Sequence, residues 1–326
     1  SQSDVVIENF APGTMERLGL GPDILSRRNP RLIYASGKGY GSEGAYSSMP
    51  AMDVTIQAMS GVIAATGFPD GPPVKAGVAI ADFLGGIHLF AAISSALYQR
   101  ERTGRGQVVE VSMHDSVYPT LASALGGIYN DPTQRLPERT GNRHSGLAMA
   151  PYNVYPTADG WVAIISVSDR HFGTLMRTIG REDLVHDPEF ADPHRRLTNM
   201  DELDALIAGW TSGLGRWDVV DRLREGGVPC APVLSVREVA EDPHLIARGM
   251  IAWIDHPTRG RVPVPSSPVR LSESPPVDVR RAPAVGADTS EVLTRVLGMD
   301  DAQIAGLRSA SVIQRERAIV PECKES

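Results

Sequence analysis

The sequence is poor in cysteine, with only Cys230 and Cys323 among its 326 residues. Two thiols cannot build the disulfide framework that stabilises many small secreted domains, and they cannot complete a four-thiolate metal site. Uninterrupted apolar runs of about 18 residues, the length that crosses a bilayer as a helix, are missing as well. We therefore expect neither a disulfide-stapled protein nor a protein that spans a membrane.

An excess of positive charge is also missing. The chain has 32 Lys and Arg against 39 Asp and Glu, which gives a formal net charge of −7. This balance disfavours a general affinity for nucleic acid or for anionic lipid. A local basic pocket can still bind one polyanionic small molecule. The expected partners are therefore small molecules, with no nucleic acid and no membrane.

Several short motifs of common enzyme classes are absent from the sequence: HExxH, the Walker loop and Gly-x-Ser-x-Gly. Cys230 follows Val228 and Pro229, a context typical of a small buried apolar residue rather than a nucleophile. We expect no metal site.

What is present indicates a globular α/β protein. The chain is 42% hydrophobic and 22% charged, and its length suggests about two domains. A short β-branched run at 4–8 and a second predicted strand at 30–36 flank a helix near 23–28, a strand–helix–strand order that predicts a parallel sheet. Helical spacing predicts further helices over 53–65 and 115–128.

The later part of the chain has a different pattern. The runs 152–156 and 160–166 flank an Asp-Gly turn, which predicts a β-hairpin. A polar, proline-rich, basic stretch precedes this hairpin, and a proline-spaced stretch that begins at Ser266 predicts an extended crossing. We therefore predict four segments: a large domain (1–128), a linker (129–150), a small domain (151–265) and a return crossing with C-terminal helices (266–326).

Asp82 is the candidate reactive residue. It stands between the apolar run Val78–Ala81 and the apolar helix Phe83–Leu97. The default prediction for such a residue is the N-cap of that helix, and Asp53 has a similar position before another helix. The alternative is functional, because a carboxylate kept ionised at a helix N-terminus can act as a nucleophile. The Gly85-Gly86 pair predicts that something approaches this helix closely.

A set of segments, in order along nearly the whole chain, carries a family pattern: Asp4–Gly21 (DVVIENFAPGTMERLGLG), Asn29–Gly41 (NPRLIYASGKGYG), Gln57–Asp82 (QAMSGVIAATGFPDGPPVKAGVAIAD), Arg100–Ser116 (RERTGRGQVVEVSMHDS), Gly227–Val233 (GVPCAPV) and Asp242–Met250 (DPHLIARGM). Together they resemble the class III CoA-transferase family, also called the CaiB/BaiF family. Each segment alone is a weak signal, whereas the ordered set is specific for the family and much less specific for a substrate.

The resemblance implies a fold and an assembly. Family members have a large domain with a Rossmann-like parallel sheet, a smaller α/β domain and a C-terminal segment that returns to the large domain. Two subunits interlock like rings, which implies a homodimer, and the expected location is cytoplasmic. Members also begin with a further strand–helix unit, so we expect a segment of the CoA-binding domain to lie outside this numbering.

The resemblance also implies a mechanism. The catalytic aspartate of the family falls on Asp82, whose carboxylate would form an aspartyl-acyl anhydride and then an aspartyl-CoA thioester. Coenzyme A enters as the acyl-CoA substrate, and no metal takes part. The positions that match the family's CoA contacts are Asn9, Phe10, Ala11, Arg17, Pro50, Ala51, Met52 and Asp53.

Two departures from relatives bear on the substrate. The stretch Gly141–Gly146 has far fewer glycines than the mobile loop of formyl-CoA transferases, which disfavours formate or oxalate and favours a larger acceptor. The related 2-methylacyl-CoA racemases carry a histidine where this chain has Met52, although Asp169 falls near their second acidic position. Transferase is therefore favoured over racemase, which needs two bases. A CoA-binding protein with weak or no catalysis is the third alternative.

Overall fold

The computed structural model describes residues 3–130, 133 and 136–313. Cys323 and parts of the predicted segments 1–128, 129–150 and 266–326 lie outside these residues. The chain forms two compact units, of which the first reaches to Val233 and the second begins at Leu234. The predicted domain boundaries at 128, 150 and 265 stay predictions.

The first unit opens with a parallel sheet. Strands β1 (Val5–Glu8), β2 (Ile33–Lys38) and β3 (Val108–Ser112) lie in that order, with Val5 opposite Ile33 and Tyr34 opposite Val108. Most β2 side chains are buried, as is typical of a parallel strand covered on both faces. The predicted parallel sheet is confirmed.

Helices connect these strands and cover the sheet. Helices α1 (Thr14–Arg17) and α2 (Pro22–Arg28) join β1 to β2. Between β2 and β3 the chain forms α3 (Asp53–Met59), α4 (Val62–Ala65) and the long α5 (Ile80–Thr103). Helix α5 presents Ala92 and Ala96 to the sheet residues Ile33 and Ala35, and small side chains at this contact let helix and sheet approach closely.

Two predicted helices are interrupted in the structure. The helix over 53–65 breaks between α3 and α4, where Gly61 has φ +89°, a left-handed backbone that favours glycine. The helix over 115–128 divides into α6 (Met113–Val117), a short 3₁₀ turn and α7 (Ala122–Asn130). Pro119 lies in that turn and has no N–H to donate, so a regular helix cannot continue through it.

Helix α5 is long enough and apolar enough to cross a membrane by length and composition alone. The core helix of a soluble protein, which is mostly buried, passes the same test, whereas only a minor share of α5 is buried within the described residues. One face of α5 contacts β2 and β3, and Arg100 near its end donates to the backbone oxygens of Asp4 and Arg31. These contacts give α5 a packing role in the α/β layer.

The rest of the first unit is built around an antiparallel sheet. Strands β4 (Tyr152–Thr157) and β5 (Gly160–Ile165) form the predicted hairpin, and β6 (Cys230–Pro232) pairs with β5. The helices of this region cover the sheet with a continuous buried core: α8 (Asp169–Thr178), α9 (Pro193–Thr198), α10 (Met200–Thr211) and α11 (Arg216–Glu225), with a 3₁₀ turn at Glu182–Val185.

The second unit contains a further hairpin, β7 (Ile251–His256) with β8 (Gly260–Pro265). Its helices are α12 (Val236–Ala240), α13 (Pro243–Ala247), α14 (Thr289–Leu297) and α15 (Asp301–Ser309). Between β8 and α14 the described chain has no helix or strand, which agrees with the extended stretch predicted from its prolines. The predicted return of this segment to the large domain stays a prediction.

Candidate active site

The candidate site lies at the carboxyl edge of the parallel sheet. Strands β1 and β2 end there at Glu8 and Lys38. Because β2 and β3 are parallel neighbours, α5 runs back along the sheet and its first turn lies at the same edge. A Cβ added at Gly85 would come within 3.0 Å of Met113, which directly follows β3, as this direction requires. Ligands in open α/β sheets bind beyond the carboxyl ends of the strands.

A buried ion pair organises the ends of β1 and β2. The Glu8 carboxylate accepts hydrogen bonds from Lys38 Nζ at 2.9 Å, from the Ser36 hydroxyl and from the Phe10 N–H at 3.0 Å. Lys38 Nζ also donates to the Phe10 carbonyl oxygen at 3.0 Å. The turn Asn9–Ala11, which the resemblance assigns to CoA, is therefore tied to both strands through its backbone.

The electrostatics of this pair are set by burial and hydrogen bonding. Burial raises the pKa of Glu8, but hydrogen bonds from Lys38 and Ser36 outweigh burial and leave the pKa below its usual value. Burial, together with the charge of Glu8, raises the pKa of Tyr34 to about 12. Glu8 is thus a structural anion with its lone pairs in use, and it is not a proton donor near neutral pH.

Arg17 is the last residue of α1, the helix that follows the Asn9–Ala11 turn. Gly13 precedes α1 with φ +75°, and the guanidinium Nη2 of Arg17 folds back to donate to Thr14 Oγ1 at 2.9 Å. The Arg17 side chain is exposed, so its remaining N–H groups face solvent. A solvated guanidinium beside an exposed turn is suited to bind a phosphate group.

The stretch Pro50–Asp53 reaches the same edge from the loop after β2. A Cβ added at Gly39 would lie only 2.1 Å from the Ala51 Cβ. Position 39 therefore requires a glycine, because Ala51 packs directly against its backbone. Pro50 and Met52 are exposed, and Met52 is the N-cap residue of α3. The structure thus places Ala51 beside the end of β2.

Asp82 does not occupy the N-cap position predicted for it. Helix α5 begins at Ile80, the N-cap residue is Ala79, and Asp82 lies in the first turn with an exposed side chain. The N-cap prediction is wrong because the apolar run before Asp82 already contributes the first helical residues. The Asp82 carboxylate is therefore not consumed by capping its own helix.

The cap of α5 comes from Asp53 instead. One carboxylate oxygen of Asp53, Oδ1, accepts from the N–H of Ala81 at 2.9 Å and from the N–H of Asp82 at 3.3 Å. The sequence predicts Asp53 as a cap of its own helix and as a CoA contact, but the structure directs its carboxylate to a different helix. The local-cap prediction for Asp53 is therefore wrong, because Asp53 is the first residue of α3 and Met52 precedes it.

Sequence reasoning missed Gln57, which completes this arrangement. Its side chain is fully buried and its Nε2 donates to Asp53 Oδ2 at 2.6 Å. The signal was present, since Gln57 stands four residues after Asp53 on one helix, a spacing at which side chains meet.

The two glycines after Asp82 differ in their surroundings. Gly85 is in close contact with Met113 of α6, which confirms a close approach there. A Cβ at Gly86 would meet nothing within 4 Å. Gly86 lies four residues after Asp82, so the same face of α5 has open space next to the carboxylate.

The residues that bear on the racemase alternative have other surroundings. Met52 carries no group that transfers a proton, and its side chain is exposed. Asp169 lies in the first turn of α8, where its carboxylate accepts from Arg196 Nη1 at 2.7 Å. Asp169 is thus held at the start of α8 by an ion pair with Arg196.

The loop Gly141–Gly146 is held by the partly buried carboxylate of Asp204. Arg143 Nε donates to Asp204 Oδ2 at 2.8 Å, and the Tyr155 hydroxyl donates to Asp204 Oδ1 at 2.7 Å. Burial and the nearby Asp204 charge raise the pKa of Tyr155. The loop is thus anchored to α10 through Arg143 rather than left without side-chain contacts.

A cavity of about 490 Å³ lies against the antiparallel sheet and contains none of the predicted site residues. Cys230 lines it, and burial raises the pKa of the Cys230 thiol, which agrees with an unreactive apolar role. Within the described residues, no group of three His, Cys, Asp or Glu is arranged to hold a metal ion.

Comparison with known proteins agrees with this geometry. The family model described as CoA-transferase family III matches residues 1–289. The chain belongs to CoA-transferase family III. It is therefore an enzyme of the CoA-transferase class, and the family expected from the sequence is confirmed.

Relatives with assigned names cover most of the chain. It is 37% identical to a formyl-CoA:oxalate CoA-transferase of Streptomyces coelicolor over 96% of this chain and 78% of that protein. It is 41% identical to an acetyl-CoA:oxalate CoA-transferase of Acetobacter aceti over 83% of this chain and 68% of the relative. A succinyl-CoA–D-citramalate CoA-transferase of Chloroflexus aurantiacus is 37% identical over 95% of this chain and 76% of its own length.

A solved structure shares the fold. A CaiB/BaiF family protein from Brucella suis matches with a TM-score of 0.74 and 35% identity, over 89% of this chain and 75% of that one. The α/β fold class predicted from the sequence, with its parallel sheet, is thus confirmed.

Proposed function

We propose that the chain transfers coenzyme A from an acyl-CoA thioester to a carboxylic acid through covalent intermediates on Asp82. The observation that carries this proposal is the place of Asp82: an exposed carboxylate in the first turn of α5, at the carboxyl edge of the sheet, with open space at Gly86 beside it. Membership of CoA-transferase family III supports the same reaction class.

The reaction conserves the thioester energy. The Asp82 carboxylate attacks the thioester carbonyl, the C–S bond breaks, and an aspartyl-acyl anhydride forms with release of CoA thiolate. The thiolate then attacks the Asp82 carbonyl carbon and expels the donor acid as its carboxylate. An acceptor carboxylate displaces CoA from the aspartyl thioester, and the thiolate finally attacks the acceptor carbonyl to regenerate Asp82. Each step exchanges one activated acyl bond for another.

CoA would bind along the edge that leads to Asp82. The proposed contacts are the exposed turn Asn9–Ala11, the Arg17 guanidinium and the stretch Pro50–Met52. The Glu8–Lys38 pair supports this assignment because it holds the backbone of the turn in one conformation. The Asp53 carboxylate is already bound to α5, so we assign it no direct contact with CoA.

The names of the relatives indicate which acids to expect as acceptors. Two of them are named for oxalate as acceptor, and a third is named for succinyl-CoA and citramalate. The anchored, glycine-poor Gly141–Gly146 loop favours the larger acceptors for this chain. Because oxalate and citramalate are both dicarboxylates and the loop favours the larger acid, we propose a dicarboxylate larger than oxalate as acceptor.

We also propose that two copies of the chain form the working enzyme. Helix α5 exposes a row of large apolar side chains on one face: Phe83, Ile87, Phe90 and Tyr98. An apolar row of this length is typical of a protein interface, and a second copy covers it in the proposed homodimer. In a sedimentation experiment, the Ile87→Glu variant should behave as a monomer, whereas the wild type should behave as a dimer. A wild-type protein that is monomeric at all concentrations would contradict the proposal.

Trapping the intermediate tests the reaction. Acyl-CoA with hydroxylamine should inactivate the wild type and convert the Asp82 carboxyl to a hydroxamate, detected on the Asp82 peptide by mass spectrometry. Asp82→Asn should lose transfer by about 10⁴-fold or more, as expected when a nucleophile is removed. The matched control Asp70→Asn, at an exposed turn, should keep the wild-type transfer rate and should still be inactivated by hydroxylamine with labelling of Asp82.

Two outcomes would overturn this proposal. Full transfer by Asp82→Asn would exclude Asp82 as the nucleophile. Obligatory deuterium exchange at the α-carbon of the acyl group, without transfer, would indicate a racemase.

A further inference from the structure

A buried amide, Gln57, connects α3 to the segment that leads into α5. Its Oε1 accepts from the Ala76 N–H at 2.9 Å, and its Nε2 donates to the Val78 carbonyl oxygen at 3.2 Å and to Asp53 at 2.6 Å. Both Nε2 hydrogens and one Oε1 lone pair are therefore in use. Rotating the amide by half a turn would oppose donor to donor at Ala76, so only one orientation satisfies these groups.

Asp53 extends this connection to the backbone of Asp82. Its two carboxylate oxygens have separate partners: Oδ2 binds Gln57, and Oδ1 binds the N–H groups of Ala81 and Asp82. Ala79, the N-cap residue of α5, offers no side-chain acceptor, so Asp53 acts as an N-cap from another helix. Gln57 holds the oxygen of Asp53 that α5 does not use.

We infer that Gln57 is a positioning residue that fixes Asp82 for attack by holding Asp53 against the first turn of α5. The inference rests on the proposed function, because it needs Asp82 as nucleophile. Gln57 is fully buried and touches no substrate, so its effect reaches the reaction through Asp53 and the α5 backbone. A shift of about 1 Å in a reacting group can lower a rate by about 100-fold.

The contact geometry gives a distinctive substitution test. Gln57→Glu has the same shape but presents a second carboxylate to Asp53, which should displace Asp53 from the α5 amides. Asp53→Asn combined with Gln57→Glu restores a donor–acceptor pair, because the new amide at position 53 can donate to the new carboxylate at position 57 while its oxygen accepts from α5. Only the donor to Val78 stays missing in this double variant.

The variants are compared by their rates of CoA transfer at saturating acceptor. Gln57→Glu should lower kcat about 100-fold and leave KM for acyl-CoA within about twofold, because the loss concerns the transition state rather than binding. The double variant should regain at least about tenfold in kcat. Gln99→Glu, an exposed glutamine near the far end of α5, is the matched control and should behave as wild type.

Three readouts separate the inference from the proposed function. Wild-type protein that acquires no acyl group on Asp82 overturns the proposed function, and the inference with it. Wild-type acylation together with unchanged kcat in Gln57→Glu overturns the inference alone. A double variant no faster than Gln57→Glu also overturns it, since a merely structural loss would not be repaired by adding a second substitution.

Discussion

The two sheets of the first unit differ in the size of the buried apolar core that packs against them. The antiparallel-sheet region (β4–β6 with α8–α11) has one continuous core that includes Tyr155, Phe172, Leu175 and Leu203, all almost fully buried. The parallel-sheet region (β1–β3 with α1–α7) has two small clusters, one around Ile33 and one around Ile56. Large apolar residues of its longest helix remain exposed.

The difference in apolar packing between the two regions matches a difference in their proposed roles. The antiparallel-sheet region completes its own packing, whereas the parallel-sheet region has polar contacts concentrated at the carboxyl edge: Glu8 with Lys38, and Asp53 with Gln57. The residues proposed for catalysis and CoA binding all lie in this second kind of structure. Helix α5 carries apolar side chains on two faces, of which one packs on the sheet and the other, with Phe83, Ile87 and Phe90, is exposed.

The largest expected effect is in the antiparallel-sheet region. Leu203→Ala removes a fully buried side chain of α10 and should lower the free energy of unfolding by about 4 kcal/mol, measured by urea denaturation. The control Leu271→Ala, at an exposed position, should change it by less than about 0.5 kcal/mol. Similar losses at both positions would show that the continuous core carries no special share of stability.

The next effect is at the carboxyl edge of the parallel sheet. Glu8→Gln leaves Lys38 without its anionic partner and should lower the free energy of unfolding by about 3 kcal/mol at neutral pH. The exposed control Glu43→Gln should leave it unchanged. A neutral result for Glu8→Gln would mean that the ion pair does not hold the Asn9–Ala11 turn.

The Glu8 contribution should also depend on pH. The folded protein holds the pKa of Glu8 below the ordinary value of 4.5. The unfolded chain therefore binds the proton more readily, and the stabilisation is complete above about pH 4.5 and is lost as pH falls through the folded pKa. Unfolding measured below pH 4.5 should thus bring wild type and Glu8→Gln closer together, and a constant difference would contradict this.

The sequence predicts the local elements of this fold well. The strands β1 and β2 and the β4–β5 hairpin follow from short apolar runs and one Asp-Gly turn, which are signals between neighbouring residues. The break at Gly61 escapes prediction because the apolar spacing continues through it. Whether a glycine in a helical pattern ends the helix depends on tertiary packing around it.

The candidate site is harder to predict because its bonds join distant positions. The resemblance leads to Asp82, but the cap of its helix comes from Asp53, which lies 29 residues earlier. No local pattern assigns Asp53 to α5 rather than to α3. The other two partners of Gln57 are also distant in the sequence. They are the backbone groups of Ala76 and Val78, in a segment that is neither helix nor strand.

A smaller effect is expected at Asp204, the partly buried carboxylate that anchors the Gly141–Gly146 loop. Asp204→Asn weakens the bonds from Arg143 and Tyr155 and should lower the free energy of unfolding by about 2 kcal/mol, read from urea denaturation. Asp201 shares the Arg143 guanidinium but is largely exposed, so Asp201→Asn is the matched control at less than about 1 kcal/mol. Equal effects would mean that the burial of Asp204 adds nothing to the anchor.

The smallest effect on stability should occur on the exposed face of α5. It tests most directly how the parallel-sheet and antiparallel-sheet regions differ. Phe90 is more than half exposed, so Phe90→Ser should change the unfolding of the dilute chain by less than about 0.5 kcal/mol. Phe172→Ser, an equal change in the antiparallel core, should cost several-fold more. A large loss for Phe90→Ser in dilute protein would mean that the chain itself covers this face. A loss that appears only as the protein concentration rises would assign the cover to a second copy, and the parallel-sheet region would then complete its core by association.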